Sequence, residues 1–115
     1  MLLKKVFPLL FLLTLMLSSS AFAEKATVVY YNAVNKSVVV SGFHGYSCGW
    51  VRNYYAKPHR LHPGDVLEGS FVLGSHRCSD ESNERDVEIY FDEWWVKKDA
   101  AHKWVEKQKD KDSFW

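Results

Sequence analysis

No apolar stretch in this chain has the length of a membrane-spanning helix. The longest, Val6 to Leu17, is broken by Pro8 and Thr14 and covers 12 positions, where a crossing needs roughly 20. Acid is missing from a whole third of the sequence: Lys25 to Gly64 holds Lys25, Lys36, Arg52, Lys57 and Arg60 and no Asp or Glu. Cysteine is scarce. Two residues, Cys48 and Cys78, cannot build a disulfide-dense scaffold or the close cysteine pair of a structural zinc site. Catalytic signatures are missing too. Ser41, Ser70 and Ser75 do not lie in Gly-x-Ser-x-Gly, and no glycine-rich phosphate loop precedes a helix. Glu68 and Glu88 could be drawn as a hydrolytic pair, but nothing distinguishes them from surface carboxylates on strands. A non-enzymatic protein is therefore expected, with no cofactor.

The N-terminus carries what an export signal needs. Lys4 and Lys5 form a positive start, the apolar run follows, and Ser18-Ser19-Ser20 leads into Ala21-Phe22-Ala23, the small-x-small pattern of a cleavage site. Residues 1–23 are expected to be a secretory leader, and residues 24–115 a single small exported domain, periplasmic or secreted. No cysteine at the cleavage point offers a lipid attachment, so no stable membrane anchor is expected.

Of 15 Lys and Arg residues, Lys4 and Lys5 fall in the leader, which leaves 13 bases against 14 acids. A balance so near neutral argues against nucleic acid as a partner. The charges are segregated, however. Residues 65–95 hold nine acids and only Arg77 and Arg85 as bases. Either the two stretches neutralise one another in space, or the basic stretch is a patch for an acidic partner.

In an exported protein an even cysteine count reads as paired, and two cysteines allow one pairing. A Cys48–Cys78 disulfide is the expectation; closing a loop of this length would add about 3.7 kcal/mol in the chain-entropy model. A metal site built from His44, Cys48, His76 and Cys78 would need both thiols reduced in an oxidising compartment, and His59 with His62 would give only two ligands. No metal is expected.

The rest of the chain reads as mainly β. Ala26 to Asn32 and Ser37 to Ser41 are rich in Val, Thr and Tyr, and the Ala33–Lys36 connection contains Asn35, a residue that tolerates left-handed backbone. Trp50 to Tyr55 and Val66 to Leu73 read as further strands, separated by the turn chemistry of Lys57-Pro58 and His62-Pro63-Gly64. Gly42 to Gly49 and the polar Gly74 to Arg85 read as loops, the first alternatively as a bulged strand. In Asp86 to Val96, Val87, Ile89 and Phe91 alternate with polar partners, and a bulge near Asp92–Glu93 is expected to turn Trp94 or Trp95 inward. The tail is open between a helix from Asp99 and a strand at Lys103–Lys107, with the strand preferred by continuity. Short strands between turn signals predict a small antiparallel β-sandwich or barrel, with a short C-terminal helix as an option.

Aromatic residues are the most unusual feature. Five Trp, six Tyr and four Phe lie beyond the leader, more than a small β-domain can bury. Tyr46, Trp50, Tyr54 and Tyr55 sit near Arg52, Lys57 and Arg60, and Tyr, Trp and Arg are the types enriched at binding hot spots. Alternation along a strand exposes one of Tyr54 and Tyr55. The segment Trp50 to His62 is therefore expected to contribute to recognition, with Arg52, Tyr54 or Tyr55, and Arg60 as its main contacts. The expected partner is another protein, as for an inhibitor, immunity or adaptor protein. A glycan- or cell-wall-binding module is the alternative, since aromatic rings stack on sugars. A secreted membrane-active protein is a third reading and would need an exposed apolar hairpin, which the sequence does not mark.

Overall fold

Six strands and one helix organise residues 23–112, the part of the chain that the computed structural model describes. The strands are β1 (Glu24–Tyr31), β2 (Ser37–Gly42), β3 (Gly45–Tyr54), β4 (Val66–Gly69), β5 (Gly74–Asp80) and β6 (Arg85–Val96); the helix α1 spans Lys98–Asp112. Every strand pair is antiparallel, and the order β1-β2-β3-β6-β5-β4 closes on itself as a barrel. The closing seam pairs Glu24 with Gly69 and Thr27 with Val66. The expected leader lies outside the described residues save for Ala23.

Alternation explains the wall. Ala26 and Val28 of β1, Val38 and Val40 of β2, Val51 of β3, Leu67 of β4, and Val87, Ile89 and Phe91 of β6 fill one interior cluster. Strand residues point to opposite faces in turn, so one face of each strand supplies this core. Two loop side chains join it: Leu61 from the β3–β4 connection and Phe71 from the β4–β5 connection, exposed by 0% and 1%. Phe71 meets Phe91 edge to face at 5.8 Å.

A second cluster lies outside the barrel, under α1. Ala101 and Trp104 of the helix bury against Val39 and Cys48, with Tyr30, Tyr46, Trp50, Val96 and Val105 around them. Among the helix residues whose burial is described, Ala101, Trp104 and Gln108 are buried, a spacing of three then four that puts them on one stripe. The Trp104 indole N–H donates to Asp92 Oδ2 at 2.9 Å, and its ring lies 5.1 Å from that of Trp50. The tail is thus a helix, and the preferred strand at Lys103–Lys107 is not formed. The strand pattern could not continue because β6 already has β3 and β5 on its two edges. Asp99 in the first turn suits the positive end of the helix dipole.

The expected Cys48–Cys78 disulfide is not formed; both thiols are free and buried. Cys48 faces the cluster under the helix and Cys78 faces the barrel interior, so the barrel wall stands between them. Along β6, Cys48 is opposite Glu93 and Cys78 opposite Val87, roughly 20 Å apart at 3.3 Å per residue. A disulfide needs α-carbons within about 7 Å.

Other expectations shift locally. The first hairpin forms as read, but its left-handed residue is Lys36 at φ 62°, while Asn35 Oδ1 accepts from the Ser37 amide and hydroxyl. Gly42–Gly49 is largely the start of β3, and the polar stretch from Gly74 contains β5. The register does slip around Cys48, opposite Glu93. It does not turn a tryptophan inward: Trp94 and Trp95 stay 39% and 46% exposed, and Val96 packs under the helix instead. Gly49 is required at that slip, because a Cβ there would lie 2.0 Å from the Tyr90 carbonyl oxygen.

Candidate functional site

The barrel has two ends. At the proximal end β1 begins and the β2–β3 turn and β4–β5 loop gather. At the distal end lie the β1–β2, β3–β4 and β5–β6 connections. The distal end is closed by a buried ion pair. Arg85 Nε donates to Asp80 Oδ2 at 3.0 Å, and both side chains are fully out of solvent. The other guanidinium nitrogens donate to the carbonyls of Ala56 and Arg60. Asn83 Nδ2 bridges Asp80 and Asp65, and Asp65 Oδ2 accepts from the His62 amide at 2.9 Å. One arginine therefore ties the whole β3–β4 loop to the strand ends. Asp80 Oδ1 is buried without a hydrogen-bond partner among the described residues.

Above this plug sits Tyr54. The Arg85 guanidinium lies 5.0 Å from its ring centroid, and its hydroxyl shares a short hydrogen bond with Tyr31. Burial pushes the Tyr54 phenol well above the ordinary tyrosine range, with the Tyr31 bond acting in the same direction and Arg85 and Arg60 opposing. Tyr54 is thus a neutral, fixed aromatic floor. The register shift between Val51 and Asn53 lets Arg52 and Asn53 both face solvent before Tyr54 turns back in.

These residues frame a cleft of about 230 Å³ lined by Lys36, Arg52, Asn53, Tyr54 and His59. The His59 ring stacks on Tyr54 with centroids 5.9 Å apart. No acidic side chain lines the cleft. The ion pairs among the described residues join Lys25 to Glu81, His44 to Glu24, Arg77 to Asp86, Arg85 to Asp80 and Lys109 to Glu106; Lys36, Arg52, Lys57 and Arg60 belong to none of them. Lys25 aside, the cations of the acid-free stretch are therefore left without ion-pair partners at this end of the barrel.

Of the four residues singled out by sequence, Arg52 and Tyr54 meet in the cleft, and Arg60 is close enough for its charge to act on the Tyr54 phenol. Tyr55 lies apart, 43% exposed, with the Arg77 guanidinium 3.9 Å above its ring. Sequence reasoning included His59 in the segment Trp50–His62 without naming it as a main contact, and left Lys36 in a turn outside that segment. Only the hairpin and the β3–β4 loop bring them together, although Lys36 already stood in the acid-free stretch.

A second recess, about 430 Å³, runs between α1 and the outer wall, with Val29, Tyr30, Val39 and Tyr46 on one side and Ala101 and Val105 on the other. Of the other histidines, His44 pairs with Glu24 at 3.1 Å, and His76 bonds the Leu73 carbonyl at 3.1 Å. Among the described residues no group of three His, Cys, Asp or Glu side chains could hold a metal ion.

No family model, curated protein or solved structure matches this chain.

Proposed function

We propose that the protein is an exported, non-enzymatic binding protein that acts on another protein, gripping an acidic segment of that partner at the distal end of its barrel. The observation that carries this reading is the cleft itself: Lys36, Arg52 and His59 around the Tyr54 ring, without one acid in the lining. Cations left without ion-pair partners keep their full charge for an incoming carboxylate. A ring held from below by Arg85 and Tyr31 loses little freedom on binding. The thiols support the binding rather than the catalytic reading, because both are buried and pushed up to about 12, which removes the thiolate a nucleophile needs.

The test begins with the exported protein as bait for its partner, followed by single variants at the cleft. Lys36→Ala, Arg52→Ala and Arg60→Ala are expected to slow association and flatten its salt dependence. Tyr54→Phe, which keeps the ring, is expected to bind nearly as the parent does. If the three cation variants associate as fast as the parent at low salt, the site lies elsewhere.

A further inference from the structure

Helix α1 is seated on the barrel along one flank. Trp104 anchors it there, its indole bonded to Asp92 of β6 and its ring against Trp50 of β3. The next stripe round the helix runs through Lys98, His102, Val105 and Lys109, and it lines the recess of about 430 Å³ that faces β1 and β2. Residues spaced by three and four share a helix face, which is why these four line up. Ala101 also borders the recess and carries only a methyl group, so the space reaches down to Val39 of β2.

An irregularity in β1 builds the opposite wall. Val28 pairs with Val40 but Tyr30 with Val39, so the register slips at Val29. Strict alternation would send Tyr30 inward with Val28. The slip instead puts Val29 and Tyr30 side by side on the outer face, while Val28 and Tyr31 stay with the interior cluster. Val29 is left 45% exposed, an apolar side chain that neither core uses.

Charge enters the recess from the helix alone, because Val29, Tyr30, Val39 and Tyr46 make up the barrel side. Glu106 is the one acid in the lining, and Lys109 pairs with it at 3.6 Å. Lys98 is in none of the ion pairs among the described residues, and His102 stands one turn beyond it. The lining therefore keeps a surplus positive charge at Lys98. Other acids on or near the helix lie outside the lining. Asp92 is on the Trp104 flank, Glu93 is opposite Cys48 on β6, and Asp99 is turned about 100° round the helix from Lys98.

We propose that this recess binds a single-chain amphiphile with one anionic head group, a fatty-acid carboxylate in its chemistry. The carboxylate sits between Lys98 and His102, and the chain lies along Val105 against Val29 and Tyr30. A concavity of this size, mostly apolar with a few polar groups on one side, suits a small molecule. A protein partner needs about 800 Å² on each side, far more than a trough one helix stripe wide offers. From Lys98 to Lys109 the helix rises roughly 16 Å, the span of an extended dodecyl chain. The site is separate from the distal cleft and does not rest on the reading given to it.

The experiment titrates the exported protein, stripped of bound lipid, with dodecanoate below its micelle concentration, and follows binding by calorimetry. Saturable binding of one dodecanoate per chain is expected. Octanoate should bind at least about tenfold more weakly, because each buried methylene counts, and dodecyltrimethylammonium, which has the same chain with a positive head, should also bind more weakly. Lys98→Ala is expected to raise the Kd by about three- to fivefold, the scale of an exposed ion pair. Val29→Asp, which sets a carboxylate against the chain, should raise it by about tenfold or more. Both positions are exposed, so both variants are expected to keep the parent's circular dichroism. Lys103 is exposed on another face of the same helix and outside the lining, so Lys103→Ala removes the same charge and should bind as the parent does. A parent without saturable binding overturns the proposal. So does Lys103→Ala weakening binding as much as Lys98→Ala, Val29→Asp binding as tightly as the parent, or the cationic amphiphile binding as tightly as dodecanoate.

Discussion

Arg85 and Asp80 are the residues whose loss the barrel should feel most. Each is the other's only charge partner within a plug that also fixes the carbonyls of Ala56 and Arg60. Replacing Arg85 by Met leaves a carboxylate in the dark with one oxygen already unpartnered, and breaking a buried pair this way costs about 3–5 kcal/mol. Urea unfolding should show that loss. The double variant Asp80→Asn with Arg85→Met should lose less than the two singles together, because the charge and its partner leave at once. The cysteines give a second residue-scale expectation. Burial raises both thiols from 9.0 to about 12, helped by Glu93 and then Asp92 at Cys48 and by Asp86 at Cys78. The folded state therefore holds these protons where the unfolded chain has released them. Their contribution to stability is complete below about pH 9 and declines as pH rises towards about 12. Urea midpoints should fall over that window, and less steeply when both cysteines are alanine. Iodoacetamide at pH 8 should label neither thiol until the protein is unfolded.

At the scale of elements, α1 stands on one side chain. Trp104 is 3% exposed and joins the helix to Trp50 and Asp92. Trp104→Ala should destabilise the protein by about 3–5 kcal/mol, whereas Trp104→Phe should lose about 1 kcal/mol with the hydrogen bond to Asp92; thermal and urea melts distinguish them. Why the helix was hard to read follows from its stripe. Of its buried positions among the described residues, Ala101, Trp104 and Gln108, only one is large and apolar. β5 was hidden for a related reason. Its inward positions include Asp80, whose burial depends on Arg85, and the small Cys78, so a polar stretch can be a core strand only when its ionic partner is known. By contrast β1, β2 and β6 place Val28, Val38, Val40, Val87, Ile89 and Phe91 inside at every second position, a pattern the sequence displays openly. Arg52 and Tyr54 were legible as a site because they are two residues apart in one segment. Lys36 was not, since only the β1–β2 connection brings it beside the segment that holds Arg52, Tyr54 and His59. Phe43 and Trp95 were not legible as neighbours because they are far apart in sequence and meet, through His44, only where β3 pairs with β6.

Taken whole, the barrel wall is a partition, and the two cysteines lie on its opposite sides. In the unfolded chain nothing keeps them apart, and an oxidising compartment can join them across a loop of about 31 residues. That bond would hold together two points which the closed barrel separates by roughly 20 Å along β6, so a crosslinked chain cannot complete the fold. The bond that staples many exported domains is here a trap, and safety depends on a race. All-β topologies fold in about milliseconds to seconds, and thiol oxidation takes about seconds to hours. The parent should win. A variant that opens often, such as Trp104→Ala, should lose, accumulating a species that runs faster on a non-reducing gel and lacks native circular dichroism. Refolding in a glutathione redox buffer checks this, and replacing either cysteine with alanine should restore the yield. Under the export proposed above, quality control would act through the kinetics of closure: the first damage to a slow folder is a covalent knot made from two residues that the finished molecule never lets meet.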